Sequence, residues 1–188
     1  MPWLDANGIS IHYQLAGEGP SLVLLHEMGG TLDSWDGLFS ALSQRFRVLR
    51  YDQRGSGLSE KVRQPITTEL LVADLASILQ GVALAAPYHF VTVAAATMQA
   101  LLYMTRSPEH IASFVFCNPF TGADPSRVAA LDERAALAER EGMRAAIPLT
   151  PRKLPVSGAV RVLPQSARVP PKRLNQKSKK AGTLRKSG

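Results

Sequence analysis

The sequence predicts an α/β protein, a mostly parallel sheet with helices on both faces, entered through an N-terminal β-hairpin. Three observations carry that prediction. Leu22-Val23-Leu24-Leu25 is a charge-free apolar run of strand length. Leu38, Phe39, Leu42 and Phe46 then recur at three- and four-residue intervals, the stripe of an amphipathic helix. Arg47-Val48-Leu49-Arg50-Tyr51 follows as a second strand, so the segment is a βαβ unit whose strands should run parallel. Ligands of such sheets gather beyond the carboxyl ends of the strands, where residues 26–30 and 52–59 form the loops.

The other elements follow in order. Residues 3–14 read as a hairpin, because Asn7-Gly8 is a two-residue turn signal and Ile9, His12 and Tyr13 suit a strand. His12 is expected to face solvent or a neighbouring strand. Residues 68–80 read as a helix with Leu71, Leu75, Ile78 and Leu79 on its apolar face and Glu69 in its first turn. His89-Phe90-Val91-Thr92-Val93 is the next strand. Residues 98–107 form a helix that Thr97 caps, and residues 111–117 form a buried strand. Asp124-Pro125 then opens a long helix, with the acid as cap and proline at the first position, and Val128, Leu131, Ala135, Leu137 and Met143 as its stripe.

Two motifs carry a family resemblance. A strand ending in His26-Glu27-Met28-Gly29-Gly30, followed by Tyr51-Asp52-Gln53-Arg54-Gly55-Ser56-Gly57-Leu58-Ser59, resembles the α/β-hydrolase fold, and within it the branch of 3-oxoadipate enol-lactonases and related esterases. The resemblance runs from about residue 9 to about residue 147. It implies hydrolysis of a small carboxylic ester or lactone, no cofactor and no metal. It also implies a core over 1–123 and the start of a helical cap over 124–150; composition, not the resemblance, sets residues 151–188 apart as a basic tail.

The resemblance further implies which residues form the site. A backbone N–H of the first loop and one of the strand-to-helix turn hold the oxyanion of a tetrahedral intermediate; in this chain they fall on Met28 and Ala95. His26 and Glu27 are candidate substrate-binding residues. Glu27 stands where the family has glycine, and two readings stay open, one in which its carboxylate crowds the oxyanion and one in which it points to solvent. The bland reading of the loop, in which His26, Gly29 and Gly30 only shape a turn, also stays open. Asp52 and Arg54 are expected to tie down their loop by hydrogen bonds. The nucleophile elbow Gly-x-Ser-x-Gly aligns with Thr92-Val93-Ala94-Ala95-Ala96, so the nucleophile position is Ala94, which has no atom able to attack a carbonyl. Thr92, β-branched beside a strained turn, is expected to fit poorly. Neither His89 nor His110 falls where a general base is needed, and the segment that carries acid and histidine in the family is missing. Cys117, near the end of its strand, reads as a small buried hydrophobe.

Composition sets the limits. The chain has 188 residues, 45% of them hydrophobic, and a formal net charge of +7. That charge is local: residues 151–188 hold 11 of the 22 basic residues and no acid, while residues 1–150 hold the other 11 with all 15 acids. Such a tail is expected to be disordered. It is either a basic arm able to contact nucleic acid, or a non-homologous terminus such as a shifted reading frame produces. Sheet strands missing after residue 150 would leave an open edge and invite self-association. Residues 75–105 carry no Asp, Glu, Lys or Arg, but Gly81, Pro87, His89, Thr92 and Gln99 interrupt them, so no membrane span is expected. A single cysteine and a start without a signal-peptide pattern point to a reducing, cytoplasmic setting. A catalytically dead ligand-binding protein is the alternative function from another class, and a nucleic-acid-associated protein acting through its tail is a third.

Overall fold

The computed structural model describes residues 2–122, 125–146 and 161–163. The hairpin is β1 (Trp3–Ala6) and β2 (Ile9–Ala16), with Asn7 at φ 48° and Gly8 at φ 77°, the two positive values that a tight primed turn demands. Then come β3 (Ser21–Leu25), α1 (Asp36–Leu42), β4 (Arg47–Tyr51), α2 (Thr68–Gly81), β5 (Tyr88–Val93), α3 (Ala96–Arg106) and β6 (Ile111–Cys117). Helices α4 (Pro125–Glu141) and α5 (Met143–Ala146) and a short strand β7 (Arg161–Leu163) complete the described elements. The sheet order is β1-β2-β4-β3-β5-β6-β7. Its centre, β4-β3-β5-β6, is parallel, and both flanks pair antiparallel.

Alternation along the central strands sorts the core into two layers. Val23, Leu25, Leu49, Tyr51 and Phe90 face α2 and α3, where Val72, Leu75, Ile78, Ala96 and Ala100 close over them. Leu22, Leu24 and Val48 face the other way, under Trp35 and Phe39. Each of these fully buried aliphatic side chains contributes roughly 1.5–3 kcal/mol by leaving water. Among the described residues no helix is long and apolar enough to cross a membrane.

Several expectations change. Helix α1 ends at Leu42, before Phe46 of its expected stripe; within it Leu38 is exposed and Phe39 alone is buried. On α4 the stripe is not a core face: Val128 and Ala135 are exposed, and Leu131 and Leu137 half-buried. The expected cap residue Asp124 lies outside the described residues. So does most of the tail, where the sequence indicates no strand; Arg161–Leu163 nevertheless pairs antiparallel with Phe114–Phe116 of β6.

Charged side chains hold the loops to this frame. Asp52, directly after β4, is buried; its Oδ1 accepts the Leu32 N–H (2.8 Å), and its Oδ2 accepts the Leu58 N–H (2.8 Å) and the His12 Nδ1–H (2.9 Å). His12 is thus buried against a carboxylate rather than facing solvent. Ser59 closes the ring, accepting the His12 N–H at 2.9 Å and donating to the Asp52 carbonyl at 2.7 Å. Gly57 is required here, because a Cβ on it would collide with the Asp52 carboxylate. Burial alone would raise the Asp52 carboxyl, but the Leu32 and Leu58 N–H groups and the His12 ring outweigh it and hold it below the ordinary value of 3.8.

A second buried pair ties the loop to α2. Arg54 grips Asp74 through Nε (2.8 Å) and Nη2 (2.6 Å), and Nη2 also donates to the Asn7 carbonyl (3.0 Å). Arg50, inside β4, donates from Nε and Nη2 to Gln14 Oε1 and from Nη1 to the Leu32 carbonyl, and its guanidinium sits 4.1 Å from the Phe39 ring centroid.

Removing the Asp52 carboxylate strands one buried and one half-buried N–H donor and a buried histidine. Asp52→Ala is expected to lower the unfolding free energy by about 3 kcal/mol or more in urea titrations, whereas Asp36→Ala, which removes a largely exposed partner of Arg50, costs about 1 kcal/mol or less. Because the folded carboxyl is depressed, its contribution is complete above pH 3.8 and is lost as pH falls through the folded value. The stabilities of wild type and Asp52→Asn should therefore converge below that pH.

Candidate active site

Strands β3 and β5 are parallel neighbours with Leu25 opposite Thr92, so the loop after β3 and the turn after β5 emerge side by side at the carboxyl end of the sheet. At the β5 turn, Ala94 has φ 49°. The left-handed region costs an L-residue about 1–2 kcal/mol, so neighbouring bonds must hold it there. The Ala94 N–H donates to the Cys117 carbonyl (3.0 Å), and the Ala94 carbonyl accepts from the N–H groups of Thr97 (3.1 Å) and Phe120 (3.2 Å). A sharp strand-to-helix reversal is thereby kept, and at its apex is a methyl group.

The flanking positions correct two expectations. Thr92 is fully buried without displacing the turn, its Oγ1 3.2 Å from Thr97 Oγ1. Thr97 is therefore not a cap; α3 begins at Ala96, its cap position is Ala95, and no side chain bonds there. The hydroxyl pairing satisfies both buried oxygens.

In the loop after β3, His26 is almost wholly buried. Its Nδ1–H donates to the Glu27 carbonyl (2.8 Å) and its Nε2 accepts the Gln53 N–H (3.0 Å), while the Gln53 side chain donates back to the His26 carbonyl (2.6 Å). Burial lowers the imidazole below its ordinary 6.5, more than the Glu27 carbonyl and the nearby Glu27 and Asp52 carboxylates raise it. His26 is a neutral rivet between the two loops, with no ring nitrogen left for a ligand.

Glu27 neither crowds the turn nor projects freely. Its Oε1 accepts from Ser34 Oγ at 3.1 Å, on the 3₁₀ turn that leads into α1. A Cβ on Gly30 would lie 2.6 Å from that oxygen and 2.9 Å from Ser34 Oγ, so the missing side chain at 30 is what lets the carboxylate fold back. The left-handed position of the loop is Gly29 at φ 83°, not Glu27, which is why a side chain is tolerated at 27. The Met28 side chain is 65% exposed. Among the described residues neither the Met28 N–H nor the Ala95 N–H has a partner.

The remaining candidates lie elsewhere. His12 serves Asp52, His89 Nδ1 meets Ser113 Oγ (2.8 Å) at the amino end of the sheet, and His110 stands beside Tyr103 after α3. All four histidines of the chain are thereby placed, and none is free beside Ala94. Cys117 is half-buried, and burial pushes its thiol up, away from the reactive thiolate. Among the described residues no group of three or more His, Cys, Asp or Glu could hold a metal ion. Sequence reasoning missed Ser34 and Gln53; Gln53 lies within the second motif loop, and Ser34 lies just beyond the first, on the 3₁₀ turn into α1.

Two measurements check this geometry. If Ala94 is left-handed, Ala94→Val should cost about 2 kcal/mol in urea unfolding while Ala94→Gly costs little or stabilises. If His26 is held neutral, the unfolded chain binds the extra proton, and stability falls as pH drops below 6.5; that slope should be smaller in His26→Gln.

Residues 20–150 match the family model described as alpha/beta hydrolase fold. The chain is similar in structure to the enol-lactonase from Burkholderia xenovorans LB400, with 32% identity, a TM-score of 0.70, and 77% of this chain and 56% of that one covered. It is also similar to a hydrolase from Pseudomonas aeruginosa PA01, with 29% identity, a TM-score of 0.67, and 74% and 53% covered. Among curated sequences it is 28% identical over 145 residues to "Putative carbamate hydrolase RutD" of Agrobacterium fabrum, covering 75% of this chain and 54% of that protein. The chain thus spans about half the length of the curated relatives that share most of it. With its parallel βαβ core, its reversal at Ala94 and a family match across residues 20–150, the chain belongs to the alpha/beta hydrolase fold family.

Proposed function

We propose that this chain carries the carbonyl-binding half of a carboxylic ester or lactone hydrolase site, and that as written it binds such a compound without hydrolysing it. The N–H groups of Met28 and Ala95 hold the carbonyl oxygen. Ala94 sits under the carbonyl carbon where a nucleophile would attack, and a methyl group forms no acyl intermediate. The observation that carries the reading is Ala94 at φ 49°, a strained backbone pinned by three hydrogen bonds at a position with no reactive atom. Strain of that kind persists where surrounding structure insists on it, and what it preserves here is the direction of the N–H that follows. The 32% identity to an enol-lactonase supports a lactone or related ester as ligand class.

Restoring the hydroxyl alone should not restore turnover. Triad members act as a unit, and each histidine of this chain is committed elsewhere. Wild type and Ala94→Ser are to be incubated with an activated aryl ester and with a serine-directed phosphonate. Neither should give turnover beyond roughly 10³-fold over the uncatalysed rate, nor stoichiometric labelling. Rapid hydrolysis by either protein would overturn the proposal.

A further inference from the structure

The loops that carry the unpartnered Met28 and Ala95 N–H groups emerge beside each other at the carboxyl end of the sheet, and two such donors acting together would by themselves favour the most negative oxygen available, a carboxylate or phosphate. The residue bonded directly to one of these donors argues against that outcome. Glu27 precedes Met28, so its carboxylate lies within a side-chain length of the Met28 N–H. One hydrogen bond places the carboxylate. Ser34 Oγ donates to Oε1 at 3.1 Å, and the side chain fills the space that a Cβ on Gly30 would need, 2.6 Å from that oxygen. Glu27 is half-buried, and among the described residues it makes no ion pair; the adjacent imidazole of His26 is neutral. A fixed, uncompensated charge beside a donor pair repels a second negative charge over several ångströms, and specificity is commonly built from such repulsion.

We infer that Glu27, locked by Ser34 over Gly30, is the specificity-determining residue of the candidate site: it rejects anionic ligands and reserves the Met28 and Ala95 N–H groups for uncharged carbonyl compounds such as lactones, esters and amides. The inference rests on the carbonyl-binding reading above. It gives the Gly30 position a purpose beyond turn formation, because any side chain there would push the carboxylate off Ser34.

The test follows the backbone amide resonances of Met28 and Ala95 in the full ¹⁵N-labelled chain while δ-valerolactone, uncharged, or pentanoate, of similar size and anionic, is added. In the wild type the lactone should shift both amides saturably and pentanoate should bind roughly tenfold or more weakly. Glu27→Gln should bring the two affinities within about threefold of each other, chiefly by strengthening pentanoate. Raising the salt concentration should strengthen pentanoate in the wild type and leave the lactone unchanged, a reading that needs no variant to fold. Equal affinities in the wild type, or a ratio unaffected by both Glu27→Gln and salt, would overturn the role of Glu27 and leave the carbonyl site standing. If the lactone shifts neither amide in either protein, the carbonyl-binding reading is overturned and this inference falls with it.

Discussion

The carboxylate of Asp52 is the constraint on which the loops of this protein depend. It lies at the end of β4, out of water, and accepts bonds from three directions: Leu32 beyond the first loop, Leu58 within its own loop, and His12 on β2. A buried charge is tolerated only when its acceptor sites are filled, and here the filling does structural work, because each donor belongs to a different segment. Arg54 and Arg50 repeat the logic on either side of it, toward Asp74 and Asn7, and toward Gln14 and the Leu32 carbonyl. Loops that would otherwise wander are held to within hydrogen-bond tolerance of one another. Such rigidity is what the proposed site, made of backbone N–H groups, would require.

Much of the frame was legible because it is written in periodicity. The apolar run at Leu22, the turn at Asn7-Gly8 and the alternation of β5 translate directly into strands, and the paired motifs around His26 and Asp52 fix the fold family. What was not legible belongs to partners far apart in sequence. His12 gave no sign of its destination because Asp52 lies forty positions away, just beyond the end of another strand. Asp74, inside the apolar face of α2, reads as an ordinary polar interruption until Arg54 is brought to it. Thr92 looked unfit for its place because it is β-branched beside a strained turn, and its partner Thr97 was assigned to a cap instead.

The site shows the same division. Ala94 could be placed by motif alone, yet that its backbone keeps the left-handed turn could not, since alanine has no preference for it. The geometry is imposed from outside, by Cys117, Thr97 and Phe120. Reactive group and reaction geometry are therefore separable in this fold: one resides in a side chain, the other in the backbone hydrogen bonds around it. Glu27 makes the complementary point, for its place on Ser34 depends on an atom that Gly30 lacks.

The clamp joining the first turn to α2 has a bearing on how the chain emerges during synthesis. Asn7 donates through its N–H to Ser77 and through its side chain to Asp74, while Arg54 takes its carbonyl. The hairpin leaves the ribosome well before α2, and every group that pins its tip is made some fifty to seventy residues after it. At ordinary elongation rates the tip waits several seconds, longer than a hairpin needs to form. An Asn-Gly turn that closes through local geometry alone suits that wait: it keeps the first two strands paired with each other, rather than with a neighbouring nascent chain, until α2 arrives.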